Sequence, residues 1–244
     1  MLLHCGKFQL SLFRPLVMGI VNVTPDSFSD GGRHLLRDAA LAHARQLIEE
    51  GADVLDIGGE STRPGALPVG VQEELDRIMP VIEGLRGVPV PVSVDTCKPE
   101  VMRAALAAGA SMVNDINALQ QPEALAVVAT SDAAVCLMHM KGSPQDMQEQ
   151  PHYQDVVREV LQFLRARIAA AEAAGIARER IVVDPGFGFG KTLAHNLALL
   201  RDLGLFNELE VPVLAGLSRK SMLDRKSTRL NSSHSDRSRM TSSA

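Results

Sequence analysis

A chain of 244 residues can form one large α/β domain or two small ones, and either buries enough apolar surface to fold without disulfide staples. The composition is 45% hydrophobic with 3% aromatic and no Trp, so the core must be built from Ala, Leu, Val, Ile and Met, as in helix-covered parallel sheets. Net charge is −4, and residues 225–244 carry five Lys/Arg against one Asp, so the first 224 residues are more acidic still and a basic nucleic-acid footprint is excluded from the body. Cys5, Cys97 and Cys136 lie far apart with no metal spacing and read as reduced, buried thiols. The opening MLLHCGKFQLSLFRP is broken by His, Lys, Gln and Arg before a signal-like apolar run forms, and no stretch approaches membrane-spanning length. The expectation is a cytoplasmic protein with no membrane and no nucleic-acid partner.

In chain order, HCGKFQLSL (4–12) alternates weakly and is expected to make a small hairpin against one end of the domain, within a plug of residues 1–14. From Pro15 onward, apolar runs at 16–23, 53–59, 91–96, 111–116, 133–140, 180–186 and 211–218 predict seven strands. The intervening segments 37–52, 71–85, 98–110, 122–129, 153–175 and 193–206 repeat apolar residues every three or four positions and predict crossover helices. An unbroken βα series fits either an open doubly wound sheet or a closed barrel. Asn22, Glu60, Asp95, Asn114, His139, Asp184 and Ser218 fall at the ends of seven successive strands, whereas an open sheet gathers its site at one switch point. A barrel is therefore expected.

The loops carry the chemistry. NVTPDSFSDGG (22–32) is long for a βα connection, and Phe28 between Asp26 and Asp30 marks it as a lid. GGESTRPGA (58–66) sets Ser61, Thr62 and Arg63 beside glycines, a group suited to phosphate oxygens, although a plain Gly/Pro turn reads as well from these residues alone. Asp95, Asn114 and Asp184 end three strands. A carboxylate accepts two parallel donors from an amino group and a ring NH, and Asn complements a mixed edge, so the trio suits an aminopyrimidinone. DPGFGFGKT (184–192) misses the phosphate-loop pattern because Pro185 stands where Gly is needed. It better sets Phe189 against the face of the same ring. In SRKS (218–221), Lys220 is a point donor for a carbonyl or ring nitrogen. His139 reads as a hydrogen-bonded structural group and is left out of the catalytic set.

NVTPDSFSDGG, GGESTRPGA, SVDT, NDI, DPGFGFGKT and GLSRKS, in this order, resemble the dihydropteroate synthases of bacterial folate biosynthesis, from about Phe8 to about Leu223. The resemblance implies a TIM-type (β/α)8 barrel, a transferase condensing 4-aminobenzoate with (7,8-dihydropterin-6-yl)methyl diphosphate, Mg2+ as cofactor, and sulfonamides as inhibitors. It implies that Asp95, Asn114, Asp184 and Lys220 bind the pterin edge and that Ile116, Met138, Phe189 and Gly216 line its slot. Asn22 would ligate Mg2+, Thr62 would contact phosphate, and Phe28, Arg63, Pro64, Lys220 and Ser221 would surround the aminobenzoate. Asp30, Asn22 and Lys220 form the implied catalytic set, Asp30 favouring positive charge at the pterin methylene.

The family's barrel continues past SRKS, but residues 225–244 hold seven Ser and only Leu230 and Met240 as sizeable apolar residues. Such a run neither pairs as a buried strand nor faces a core. A barrel domain over 1–224, short of its eighth strand and helix, and a disordered tail of foreign or frame-shifted origin over 225–244 are expected. The competing readings are a catalytically dead or folding-impaired chain that at most binds pterin, and a methyltetrahydrofolate-binding methyltransferase domain. The homodimer common in the family is in doubt without the closing helices.

Overall fold

The computed structural model describes residues 1–24, 33–61, 67–142, 147 and 151–217. The tail over 225–244 lies outside them. Among the described residues, eight strands and six α-helices are formed. An antiparallel hairpin of β1 (Leu2–Cys5) and β2 (Phe8–Ser11) turns at Gly6. Then β3 (Met18–Asn22), β4 (Val54–Gly58), β5 (Val92–Asp95), β6 (Met112–Asp115), β7 (Ala134–Met138) and β8 (Ile181–Asp184) join in chain order as one parallel sheet. Five helices, α1 (Arg33–Glu49), α2 (Val71–Gly84), α3 (Pro99–Ala108), α4 (Pro122–Ala129) and α5 (Val156–Ala173), connect them; α6 (Leu193–Arg201) follows β8.

The helix ends follow their local chemistry. Pro99 and Pro122 occupy first-turn positions, where their missing N–H costs nothing. Gly109 closes α3 in the left-handed conformation. Asp155 caps α5 by accepting from Arg158 N–H, and Thr192 with His195 makes a reciprocal capping pair at the start of α6.

The seventh predicted strand, 211–218, is much shorter in the structure. It joins β8 through one parallel bridge, Val183 to Val213, with Val183 N–H donating to Pro212 O and Leu214 N–H donating to Val183 O. Pro212 has no N–H to extend the ladder. Among the described residues the sheet does not close on itself. Ile20, in the middle of edge strand β3, is accordingly 45% exposed.

Side-chain alternation divides the sheet into two faces. Val21, Leu55, Ile57, Val92, Val94, Val113, Val135, Leu137, Ile181 and Val183 join the main apolar cluster with residues of the surrounding helices, including Ile78, Val81, Val101 and Val160. The opposite, inner set starts with Met18, Val54, Met112, Ala134 and Val182, which pack with Cys136 against Leu3, Cys5, Phe8 and Leu10 of the hairpin. The hairpin thus covers the end of the sheet where the strands begin.

Candidate active site

Moving two residues along each inner set, from the hairpin toward the strand ends, gives Asn22 on β3, Asp56 and Gly58 on β4, Ser93 and Asp95 on β5, Asn114 on β6, Met138 on β7 and Asp184 on β8. Ile116 opens the turn just past β6, and Gly216 lies within the 211–217 run, where an added Cβ would sit 3.5 Å from Asp184 Oδ2. Asn22, Asp95, Asn114 and Asp184 thus share one face at one end of the sheet. Asn22 is exposed, Asp95 and Asn114 are half-buried, and Asp184 is buried. Gly58 leaves room between the first two: a Cβ there would sit 3.5 Å from Asp95 Oδ2 and 3.6 Å from Asn22 Oδ1.

Asp184 accepts Gly186 N–H at Oδ1, 2.7 Å, while Oδ2 is directed toward Gly216. Asp95 keeps a partly exposed surface, yet its carboxyl is pushed well above the usual range, first by burial and then by repulsion from Asp56, Glu74, Asp115 and Glu60. A site with this much gathered negative potential favours a ligand that presents N–H donors. Ile116 and Met138 are buried but belong to neither apolar cluster. Phe189 is half-buried, whereas its neighbour Phe187 is wholly inside the core.

The turn after β8 is built around Lys191. The residue is 3% exposed, and its ammonium donates to Gly186 O (2.8 Å), Phe189 O (2.9 Å) and His139 O (3.2 Å) and lies 3.0 Å from His139 Nδ1. The lysine of GFGFGKT therefore ties a loop to the end of β7; it is no phosphate ligand. Gly186, Gly188 and Gly190 adopt positive φ, which lets this loop fold tightly. Tyr153 adds a hydrogen bond from its hydroxyl to Gly190 O.

His139 is 6% exposed, edge-on to Phe163 and within reach of the Lys191 charge. Burial, followed by repulsion from Lys191, pulls its pKa down to about 3. An ammonium cannot accept a hydrogen bond, so the Nδ1 that faces it at 3.0 Å is the unprotonated nitrogen and the neutral ring carries its proton on Nε2. A group whose folded pKa is depressed in this way costs stability as the pH falls from the unfolded value toward 3, because the unfolded histidine takes up the proton first. The imidazole signals of His139, followed by NMR, are accordingly expected to show no protonation between pH 8 and 5. A mid-point near the ordinary histidine value would contradict that arrangement.

Two further groups organise the rim. Lys98 pairs with Glu60, just past β4, and with Glu74 on α2, and Glu60 Oε1 also accepts Val69 N–H. These bonds clamp both ends of the segment that carries GGESTRPGA. Asp115, one residue past Asn114, lies on the outer alternation. It accepts Asn117 and Leu119 N–H and caps the turn after β6, and burial still pushes its pKa up to about 6. Phe28, Asp30, Thr62, Arg63, Pro64, Lys220 and Ser221 lie outside the described residues.

Sequence reasoning missed Asp56 and Ser93. Both sit mid-strand on the inner face, one step closer to the hairpin than the strand-end residues. The signal was present, since a carboxylate inside the apolar run DVLDIGG two residues before Gly58 must share its alternation.

The sequence matches the pterin binding enzyme family over residues 18–244. It is 52% identical over 216 residues to the dihydropteroate synthase of Escherichia coli K12, covering 88% of this chain and 77% of that one. Among solved structures, Xanthomonas albilineans dihydropteroate synthase with 4-aminobenzoic acid is 59% identical with a TM-score of 0.87, covering 93% of this chain and 82% of the other. The same organism's enzyme in complex with 7,8-dihydropteroate gives 52% identity and a TM-score of 0.81, covering 93% and 81%. Sequence motifs, inner-face polar residues and relatives agree: the chain belongs to the dihydropteroate synthase family of pterin binding enzymes.

Proposed function

We propose that this chain condenses 4-aminobenzoate with (7,8-dihydropterin-6-yl)methyl diphosphate to give 7,8-dihydropteroate and diphosphate. The observation that carries the reading is the convergence of Asp95, Asn114 and Asp184 on the inner face of the sheet at one end. In this reading Asp184, held by Gly186 N–H, accepts the paired amino and ring N–H donors of the pterin. Asn114 meets the mixed edge beside them, and Asp95 takes another ring N–H. Ile116, Met138, Phe189 and Gly216 border the ring, with Lys220 donating to its oxygen or nitrogen edge. Thr62 contacts the diphosphate, while Phe28, Arg63, Pro64 and Ser221 hold the aminobenzoate.

The reaction asks for little proton transfer. Diphosphate leaves the pterin methylene with its electron pair, and the resulting cation is conjugated with the ring. The neutral arylamine attacks from its lone pair and then releases a proton to water. The protein's part is to hold the two partners in line, favour positive charge at the methylene through Asp30, and exclude competing water. His139, buried and neutral, takes no part.

Asn22 offers one exposed amide oxygen at the mouth, and the described residues include no cluster of three metal-binding side chains. This donor set suits Mg2+ arriving on a diphosphate, because that ion takes most of its ligands from phosphate and water. Bound there beside Asn22, it would neutralise charge on the leaving group. Three free cysteines, two of them buried, suit the reducing cytoplasm.

The sheet left unclosed among the described residues, with Ile20 open to solvent, favours one alternative: a chain that binds pterin without turning it over. A single assay separates the two. Purified chain with both substrates and Mg2+ is expected to form 7,8-dihydropteroate, detected by chromatography, and to form none when the hydroxymethyl pterin replaces its diphosphate. Pterin binding by calorimetry without product supports the alternative, and neither binding nor product refutes both.

A further inference from the structure

Asp56 has no place in the contacts assigned so far. It sits in the middle of β4, between Val54 and Gly58 on the inner alternation, and is 2% exposed. A carboxylate placed so deep is costly unless donors meet it. Asn114 reaches past β5 to donate Nδ2–H to Asp56 Oδ2 at 2.9 Å. Burial pushes the Asp56 carboxyl up from its ordinary range, and Ser93, opposite it in the β4–β5 register, and Asn114 oppose that shift, though the Ser93 hydroxyl closes no well-formed hydrogen bond. Asp56 Oδ1 is thus a buried acceptor with no hydrogen-bond partner among the described residues.

The Asp56–Asn114 bond has a directional consequence. A carboxylate only accepts, whereas an Asn amide presents NH2 on one side and C=O on the other. Beside an ionised Asp56, the amide of Asn114 can be held only one way round, with NH2 against the carboxylate. Its carbonyl oxygen and second N–H are then directed away from Asp56, toward the rest of the inner face. Turning the amide over would set carbonyl oxygen against carboxylate oxygen.

We propose that Asp56 is a positioning residue, fixing the amide orientation of Asn114 and thereby the order of acceptor and donor that this side chain offers to a pterin edge. The proposal deepens the functional reading given above and rests on it for the identity of the ligand. A pterin edge alternates donors and acceptors, so an inverted amide would lose two hydrogen bonds and create two like-with-like contacts.

Asp56→Asn tests this with almost no change of shape. The new amide donates as readily as it accepts, so the orientation of Asn114 is no longer enforced, and a buried carboxylate is removed at the same time. The dissociation constant for the pterin diphosphate, measured by calorimetry without arylamine, is expected to rise about tenfold. The thermal midpoint should stay level or rise, and the KM for 4-aminobenzoate should stay within about twofold of the parent. Unchanged pterin affinity in a folded variant overturns the proposal. So does a joint fall in midpoint and in affinity for both substrates, the pattern of a purely structural role.

A second measurement uses the unaltered chain and does not depend on the variant folding. In side-chain amide NMR of the pterin-free protein, one Asn114 N–H proton should be protected from solvent exchange and shifted downfield while its twin exchanges freely. Equal exchange of the two overturns the proposal. Should the unaltered chain bind no pterin at all, the functional reading fails, and the amide spectrum still decides whether Asp56 orients Asn114.

Discussion

Replacing Asp184 by Asn is expected to lower kcat/KM for the pterin diphosphate by about a thousandfold while leaving the thermal midpoint within a few degrees. The reason lies in how the two carboxylate oxygens are divided. Gly186 N–H takes Oδ1 at 2.7 Å, and the turn after β8 depends on that bond. An amide has one oxygen, and Gly186 would claim it, so the turn survives. The NH2 must then replace Oδ2, which received one of the pterin's two donors. One charge-assisted hydrogen bond is lost and donors are set against donors, together worth about 4 kcal/mol. Steady-state kinetics at saturating 4-aminobenzoate reads the effect directly. A loss smaller than about tenfold would remove Asp184 from the pterin contact.

The largest expected effect on stability belongs to Gly186→Ala. The glycine has φ +70°, and an added Cβ would sit 1.9 Å from His139 O and 3.0 Å from its carbonyl carbon. Both are backbone atoms at the end of β7, where His139 N–H is also bonded to Asp184 O. No rotamer change relieves the clash, so the loop and the strand end must separate, and the carbonyls gathered around Lys191 lose their ammonium. A destabilisation of at least about 4 kcal/mol follows, large for a single methyl group. Urea unfolding measures it, with Gly204→Ala as the control. At Gly204 nothing lies within 4 Å of the added Cβ, and a change beyond about 1 kcal/mol is not expected. Equal behaviour of the two variants would mean that the turn after β8 is not the tight structure described.

The periodic parts of the fold were legible because they are repetitive. Six of seven predicted strands and all six helices are found near their expected bounds, since two-residue and three-to-four-residue rhythms survive any tertiary context. The seventh strand was overestimated: VPVLAGLS is apolar enough to pair along its length, but a run containing Pro212 and Gly216 makes only a brief ladder with β8. At the site, Asp95, Asn114 and Asp184 were legible because each is a polar residue closing an apolar run. Asp56 was not, because a polar residue inside such a run has no end to mark it, and its partner Asn114 is two strands away. Lys191 pointed toward phosphate by its neighbours, yet no local pattern says that a lysine will be enclosed by three carbonyls from two loops. The roles expected of Phe28, Asp30, Thr62, Arg63, Pro64, Lys220 and Ser221 rest on the family motifs and on the proposed reaction.

The small hairpin has a bearing on traffic. With Leu3, Cys5, Phe8 and Leu10 seated against the first residues of the strands, the inner face has a floor, so a ligand of Asp184 reaches it from the strand ends or past the exposed Ile20 of β3 and not from the hairpin end. In the proposed reaction the ring held by Asp184 lies nearer that floor than the arylamine, so an aminobenzoate that arrives early obstructs the ring's way in from the strand ends.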